Sequence, residues 1–188
     1  MKKVSFLLAL VAIVFTFSAF TPPVEKYVSS KTHIKFFSTT PVEDIEANNY
    51  TATSTIDPKT GDVIFAVPMQ GFEFPKALMQ KHFNNADFLD TKQFPRASLK
   101  GKITNLGDID FSMDGTYEVN VEGEFTLKGV TKSVKEKGQI TVKGGILEVD
   151  SKFNITLADY GITFVKGKPS SNIAKTVEVS LKSEYQPQ

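Results

Sequence analysis

Residues 116 to 132, TYEVNVEGEFTLKGVTK, alternate strictly between two faces. Tyr117, Val119, Val121, Gly123, Phe125 and Leu127 fall on one side, and Glu118, Asn120, Glu122, Glu124, Thr126 and Lys128 on the other. Successive side chains of a strand point to opposite faces, so the pattern predicts a long strand with one apolar and one wet face. The same period recurs along the chain. Ile45, Ala47, Ala52 and Ile56 are apolar among threonines, with a slip of phase near Asn48, Asn49 and Tyr50. The turn DPKTGD (57 to 62) then leads into Val63, Phe65, Val67 and Met69 on one face, which predicts a hairpin. Leu147, Val149, Phe153, Ile155 and Leu157 alternate with polar residues, and KGG (143 to 145) ties them to GQITV as a second hairpin. Residues 173 to 185 carry Val177, Val179, Leu181 and Tyr185 as a last strand. Between about six and eight strands follow, many longer than the usual five or six residues.

Two stretches have a helical period. PKALMQKHF (75 to 83) places Pro75 at a favourable first-turn position and sets Leu78, Met79, His82 and Phe83 three and four residues apart. PSSNIAKT (169 to 176) offers Ser170 or Ser171 as the cap of a single turn. Helices this short cannot cover a sheet, so the apolar faces must cover one another in a sandwich or a barrel. Long strands in sequential hairpins favour an up-and-down barrel, because closure removes exposed edges. The expected class is therefore all-β, an extended antiparallel lipocalin-like β-barrel with one or two short helices. Ala97, Gly101, Gly123 and Gly129 on inward faces would leave space among larger side chains. A barrel of about eight strands either holds one small ligand or is filled by its own side chains. The pattern leaves both open, and the 16 phenylalanines suit the filled version.

The N-terminus changes the picture of where the protein works. Lys2 and Lys3 precede an apolar run from Val4 to Phe17, with Thr16 and Ser18 at the small positions before a cut after Ser18. This is the pattern of a secretory signal peptide, and the run is shorter than the roughly 20 residues of a membrane span. Residues 1–18 are thus expected to be removed, leaving 188 − 18 = 170 residues as one domain, 19–188. The basic count falls from 22 to 20 against 21 acids, a mature charge of −1, so nucleic acid is not an expected partner. Cysteine is absent, which excludes a lipoprotein anchor, thiol chemistry, Fe–S clusters and Cys-based zinc.

Candidate chemistry is sparse. His33 and His82 are the only histidines. In GDIDFSMDG (107 to 115) an EF-hand would need Gly where Met113 stands and Glu where Val119 stands, so Asp108, Asp110 and Asp114 read as a hairpin turn. GITFVKGK (161 to 168) has the wrong glycine spacing for a phosphate loop, and Pro169 replaces its Ser or Thr. No G-x-S-x-G elbow is present. The expectation is a protein that is not an enzyme, with no catalytic residue, metal ligand or cofactor.

Three segments carry a family signature. FEFPKALMQKHFNNADFLDTKQFPRASLKGKI (72 to 103) has Leu78 and Met79 ahead of His82 and Phe83, then DFLD (87 to 90), then Phe94 and Pro95 leading into ASLKGKI. GEFTLKGVTKSV (123 to 134) is similar to an LTLxGVTK segment, and FNITLADYGI (153 to 162) to an Asp-aromatic-Gly strand end. In that order they resemble the YceI-like family of exported, polyisoprenoid-binding, lipocalin-like barrel proteins. Lys128 stands where many relatives carry His, Phe125 replaces a usual Leu, and LMQKHFN resembles a variant branch.

The resemblance implies a periplasmic (or secreted) barrel whose apolar tunnel holds an isoprenoid or other long-chain amphiphilic lipid. It implies no stable membrane span after signal cleavage, and it leaves room for a homodimer that encloses a long chain. Residues 72 to 94 interrupt the strands and would fold over one barrel end. Phe72, Phe74, Leu78, Met79, Phe83 and Phe88 are therefore candidate lid or wall residues, with Phe125 and Leu127 from the long strand. His82 and Arg96 are candidates for a polar head group. The alternative is a ligand-free structural or protein-interaction barrel.

Overall fold

The computed structural model describes residues 26–40, 44–163 and 174–188. Ten strands and one α-helix follow in the order β1 (Tyr27–Thr39), β2 (Asp44–Asn49), β3 (Thr53–Ile56), β4 (Asp62–Pro68), β5 (Phe72–Glu73), α1 (Ala77–Asn84), β6 (Arg96–Ile103), β7 (Gly115–Leu127), β8 (Val130–Lys143), β9 (Ile146–Thr156) and β10 (Thr176–Pro187). They form a single antiparallel sheet, β10-β9-β8-β7-β6-β4-β3-β1, which closes on itself because β10 also pairs with β1. β2 and β3 both lie along β1, against Ile34–Thr39 and against Tyr27 and Val28, so they act as one interrupted stave. β4 and β5 form another. The result is an eight-stave up-and-down barrel, the closed antiparallel architecture expected from the alternation.

The slip of phase near Tyr50 has a local cause. Asn49 is fully buried, its amide donates to the Pro68 carbonyl at 2.8 Å, and its Oδ1 accepts from the Thr51 N–H at 2.8 Å and the Thr51 hydroxyl at 3.0 Å. That side chain holds the kink between β2 and β3 in place of ladder bonds. The β7–β8 turn uses Lys128 (φ 48°) and Gly129 (φ 76°), and the β8–β9 turn uses Gly144 and Gly145 (φ 58° and 79°). Two successive left-handed residues match the twist of the flanking strands.

Of the small residues expected to open the lumen, Ala97 lines the interior space and the three glycines act differently. Gly129 is in the turn, where an added Cβ would lie 2.7 Å from the Phe94 ring. Gly101 faces Gly123 across β6 and β7, and a Cβ on Gly123 would run into the Lys100 carbonyl and the Gly101 Cα. These two glycines let backbones approach.

On the outer face, Lys35–Glu46 (2.7 Å), Lys135–Glu122 (2.8 Å), Lys152–Glu178 (2.8 Å) and Lys182–Asp150 (2.9 Å) bridge neighbouring strands. Each exposed pair is worth little, about 0–1 kcal/mol. Together they oppose a one-residue slip, which would turn every charge into the core.

The helix expected over 75 to 83 is present as α1, and only Phe83 of its residues is buried. Most of the second helical candidate and the signal segment 1–18 lie outside the described residues, and the last strand begins at Thr176. Among the described residues no helix is long and apolar enough to cross a membrane.

Candidate functional site: an apolar cavity with an open seam

The two ends of the barrel are built differently. At one end Tyr27, Ile140, Val142, Leu147 and Tyr185 fill the lumen, each at most 2% exposed. The Ser54 hydroxyl donates to the Tyr185 phenol oxygen at 2.6 Å, and Thr32 and Ser183 share a hydrogen bond of 2.8 Å, so these four buried hydroxyls are partnered. The connection between β6 and β7 closes this end from outside. It is a longer loop than the hairpin turn expected at 107 to 115, and Phe111 stacks on Tyr27 at 5.9 Å between ring centres. Burial pushes the Tyr185 phenol up to about 12, partly offset by its hydrogen bonds to Ser54 and Ser183.

Toward the other end the inward face continues but does not fill. Val119, Val121, Phe125 and Leu127 of β7 meet Phe65 and Val67 of β4, Phe153 and Ile155 of β9, and Val177 and Val179 of β10 around a cavity of about 520 Å³. That is the size of ordinary small-molecule pockets. Part of the rim is covered by an aromatic cluster. Phe36 lies 5.3 Å from Phe72, 5.6 Å from Phe74 and 5.7 Å from Phe83, and Phe83 lies 6.2 Å from Phe88. Phe83 is the peg by which α1 docks on the rim.

The cavity reaches the surface through the side of the barrel. β8 and β9 pair from Lys143 and Ile146 as far as Gly138 and Ser151, and there the ladder stops. Beyond that point β8 continues to Val130 on β7 alone, and β9 continues to Thr156 on β10 alone. Ser151 marks the fork, its hydroxyl donating to the Lys137 carbonyl at 2.6 Å. Outward-facing Ser133, Lys137, Asn154 and Thr156 join the cavity wall here, which they could not do across a closed ladder. A one-turn 3₁₀ helix, Leu157–Tyr160, stands at the far end of this seam.

Charge enters the cavity along the same seam. The inward phase of β8 runs Val130, Lys132, Val134, Glu136, Gly138, Ile140 and Val142, so two ionisable side chains interrupt an apolar face. Glu136 is half-buried, and burial pushes its carboxyl up. Tyr160 is 5% exposed, with its ring edge-on to Phe125 at 5.5 Å. Its phenol is pushed up by burial first, then by the negative charges of Asp159 and Glu136. Among the described residues no three His, Cys, Asp or Glu side chains converge as a metal site.

Of the residues singled out from sequence, Phe72, Phe83, Phe88, Phe125 and Leu127 are on the cavity wall. Phe74 belongs to the aromatic cluster but is off the wall. Leu78 is 63% exposed on α1, Met79 and His82 are half-buried and off the wall, and Arg96 is exposed at the start of β6. Helical period identifies a stripe but not which end of it meets a rim, and Phe83 is the residue of α1 that is buried. Glu136, Lys132 and Tyr160 were not anticipated. The signal for the first two was present, since a charge in the apolar phase of a strand needs an explanation.

A family profile described as YceI-like domain matches residues 26–185. No curated protein matches the chain. Among solved structures, a polyisoprenoid binding domain from Saccharophagus degradans is similar at 12% identity and a TM-score of 0.73, covering 88% of this chain and 99% of the other. Burkholderia cenocepacia BcnA is similar at 17% identity and a TM-score of 0.65, covering 81% and 95%. A Campylobacter jejuni YceI protein is similar at 12% identity and a TM-score of 0.53, covering 100% and 93%. At these identities the likeness is one of fold.

Proposed function

The chain belongs to the YceI-like family, and from that premise we propose that it is an exported, non-catalytic protein that holds a polyisoprenoid or other long-chain amphiphilic lipid in its barrel. The observation that carries the reading is the cavity of about 520 Å³, walled by apolar side chains, plugged at one end and open along a seam. A long hydrocarbon gains roughly 25 cal/mol for each Å² of apolar surface taken from water, so such a wall supplies affinity without covalent chemistry. The polyisoprenoid binding domain with the same fold supports the ligand class. The signal pattern of residues 1–18 supports export, to the periplasm or the medium.

Native mass spectrometry of protein purified without detergent from its own host, followed by organic extraction, tests the whole reading. The expected result is a polypeptide starting after Ser18, carrying a discrete adduct that extracts as a long-chain amphiphile. Phe125→Asp, on the wall, should abolish the adduct, and Leu78→Asp, in solvent, should keep it. A bare polypeptide that also refuses added isoprenoids would overturn lipid binding and leave a ligand-free interaction barrel as the reading. An uncleaved N-terminus would overturn export by signal cleavage.

A further inference from the structure

We propose that Glu136 receives the polar end of the bound molecule, and that this end is an uncharged or cationic hydrogen-bond donor, an alcohol or an amine, and not a phosphate or carboxylate. The inference rests on the lipid-binding reading of the cavity and specifies the head group that the reading leaves open.

The position is set by the fork of β8 and β9. Glu136 lies opposite Val121 on the inward phase of β8, two residues before Gly138, where the ladder to β9 ends. Glu136 thus stands at the deep end of the open seam, level with Val121, where a polar group of a molecule lying along Phe153 would meet it. Tyr160 is on the same wall and near enough to feel the Glu136 charge. Its hydroxyl can donate or accept from that wall.

The chemistry follows from what Glu136 lacks. Among the described residues its carboxylate has no hydrogen-bond or ion-pair partner, although the group is half-buried. A carboxylate withdrawn from water without a donor is costly, so the site is complete only when a donor arrives with the ligand.

Four charged residues line the cavity, Lys132, Glu136, Lys137 and Asp159. Lys132, Lys137 and Asp159 are exposed, and water screens them. Glu136 is the least exposed of the four, so its charge is screened least, and it disfavours an anion beside it.

The test uses the mature protein and four probes of one chain length, dodecanol, dodecylamine, dodecyl phosphate and dodecanoate, each below its micellar concentration. Calorimetry at about pH 8 keeps an ordinary carboxyl ionised. The alcohol and the amine should bind at least about tenfold tighter than the phosphate and the carboxylate, the scale of one hydrogen bond to a charged group. Glu136→Gln, with unchanged circular dichroism, should shrink that preference to within about threefold, less than half a factor of ten in free energy.

Equal binding of all four, tighter binding of either anion, or a preference that survives Glu136→Gln would overturn the proposal while leaving lipid binding intact. Failure of all four to bind, together with failure of added isoprenoids, would overturn lipid binding itself.

Discussion

The plugged end and the open end of the barrel use the same alternation of apolar and polar residues and reach opposite results. At the plugged end β8 and β9 stay paired from Lys143 and Ile146 to Gly138 and Ser151, and the lumen is filled by Tyr27, Ile140, Val142, Leu147 and Tyr185. At the open end the same two strands follow different neighbours, and Phe125, Phe153, Ile155 and Val177 are left half-buried around a cavity. Inward apolar residues therefore do not by themselves decide between a core and a pocket. Continuity of the ladder around them does.

The sharpest way to break this comparison is to truncate one side chain at each end. Leu147→Ala removes a fully buried side chain and should lower the unfolding free energy by about 2–5 kcal/mol in chemical denaturation. Phe153→Ala, on the cavity wall, should cost about 1 kcal/mol, near the average for point substitutions, because its side chain already faces open space. Equal losses would show that the open end is as much a structural core as the plugged one.

A smaller contrast is expected in alkali. The Tyr185 phenol is raised to about 12 in the folded protein, against about 10 in an unfolded chain. The folded state holds its proton more tightly, so this stability is complete below about pH 10 and is lost as pH rises through about 12. The two-unit difference corresponds to roughly 2–3 kcal/mol. Tyr185→Phe should flatten the alkaline limb of a stability–pH curve, and an unchanged limb would place the titration elsewhere.

The open end has a weaker, acid-side counterpart. The Glu136 carboxyl is raised by burial, so its protonated form favours folding. That contribution is complete below the ordinary Glu range and is lost as pH rises through the raised value. Thermal denaturation should show a shallow gain on acidification that disappears in Glu136→Gln.

The smallest perturbation is isotopic and leaves stability untouched. Every second amide of residues 130–137 faces the seam instead of a partner strand, and these should exchange much faster than the amides of 138–143 facing β9. Uniform protection along β8 would mean that the seam is closed in solution.

Much of this architecture was legible in the sequence, because strand period is local information. The phase of Tyr117 to Leu127, the hairpin around DPKTGD and the Gly-Gly turn all predicted staves that exist. The wall residues Phe125 and Leu127 follow from that phase alone. What escaped depends on long-range geometry. Leu78, Met79 and His82 lie on a real helix, but its tilt is fixed by Phe83 entering a cluster with Phe36, Phe72 and Phe74, partners that come from β1 and from the chain before α1. The fork at Gly138 and Ser151 likewise escapes the strand period, since both strands keep alternating beyond it. Lys132 and Glu136 were the visible trace, two charges out of phase on a face that otherwise reads as core.

The seam also bears on how the molecule behaves in a crowd of its own copies. An unpaired length of strand is a template on which another chain can add, and an oily one seeds fibres. Here the exposed edge of β8 reads VTKSVKEK (130 to 137), with four charged residues in the six positions 132 to 137. Lys132, Lys135, Glu136 and Lys137 make a sister strand a poor fit, since zipping it on would bring like charges together and strip their water. The gap that exposes the lumen is thus guarded against self-assembly by the charges on the strand that borders it.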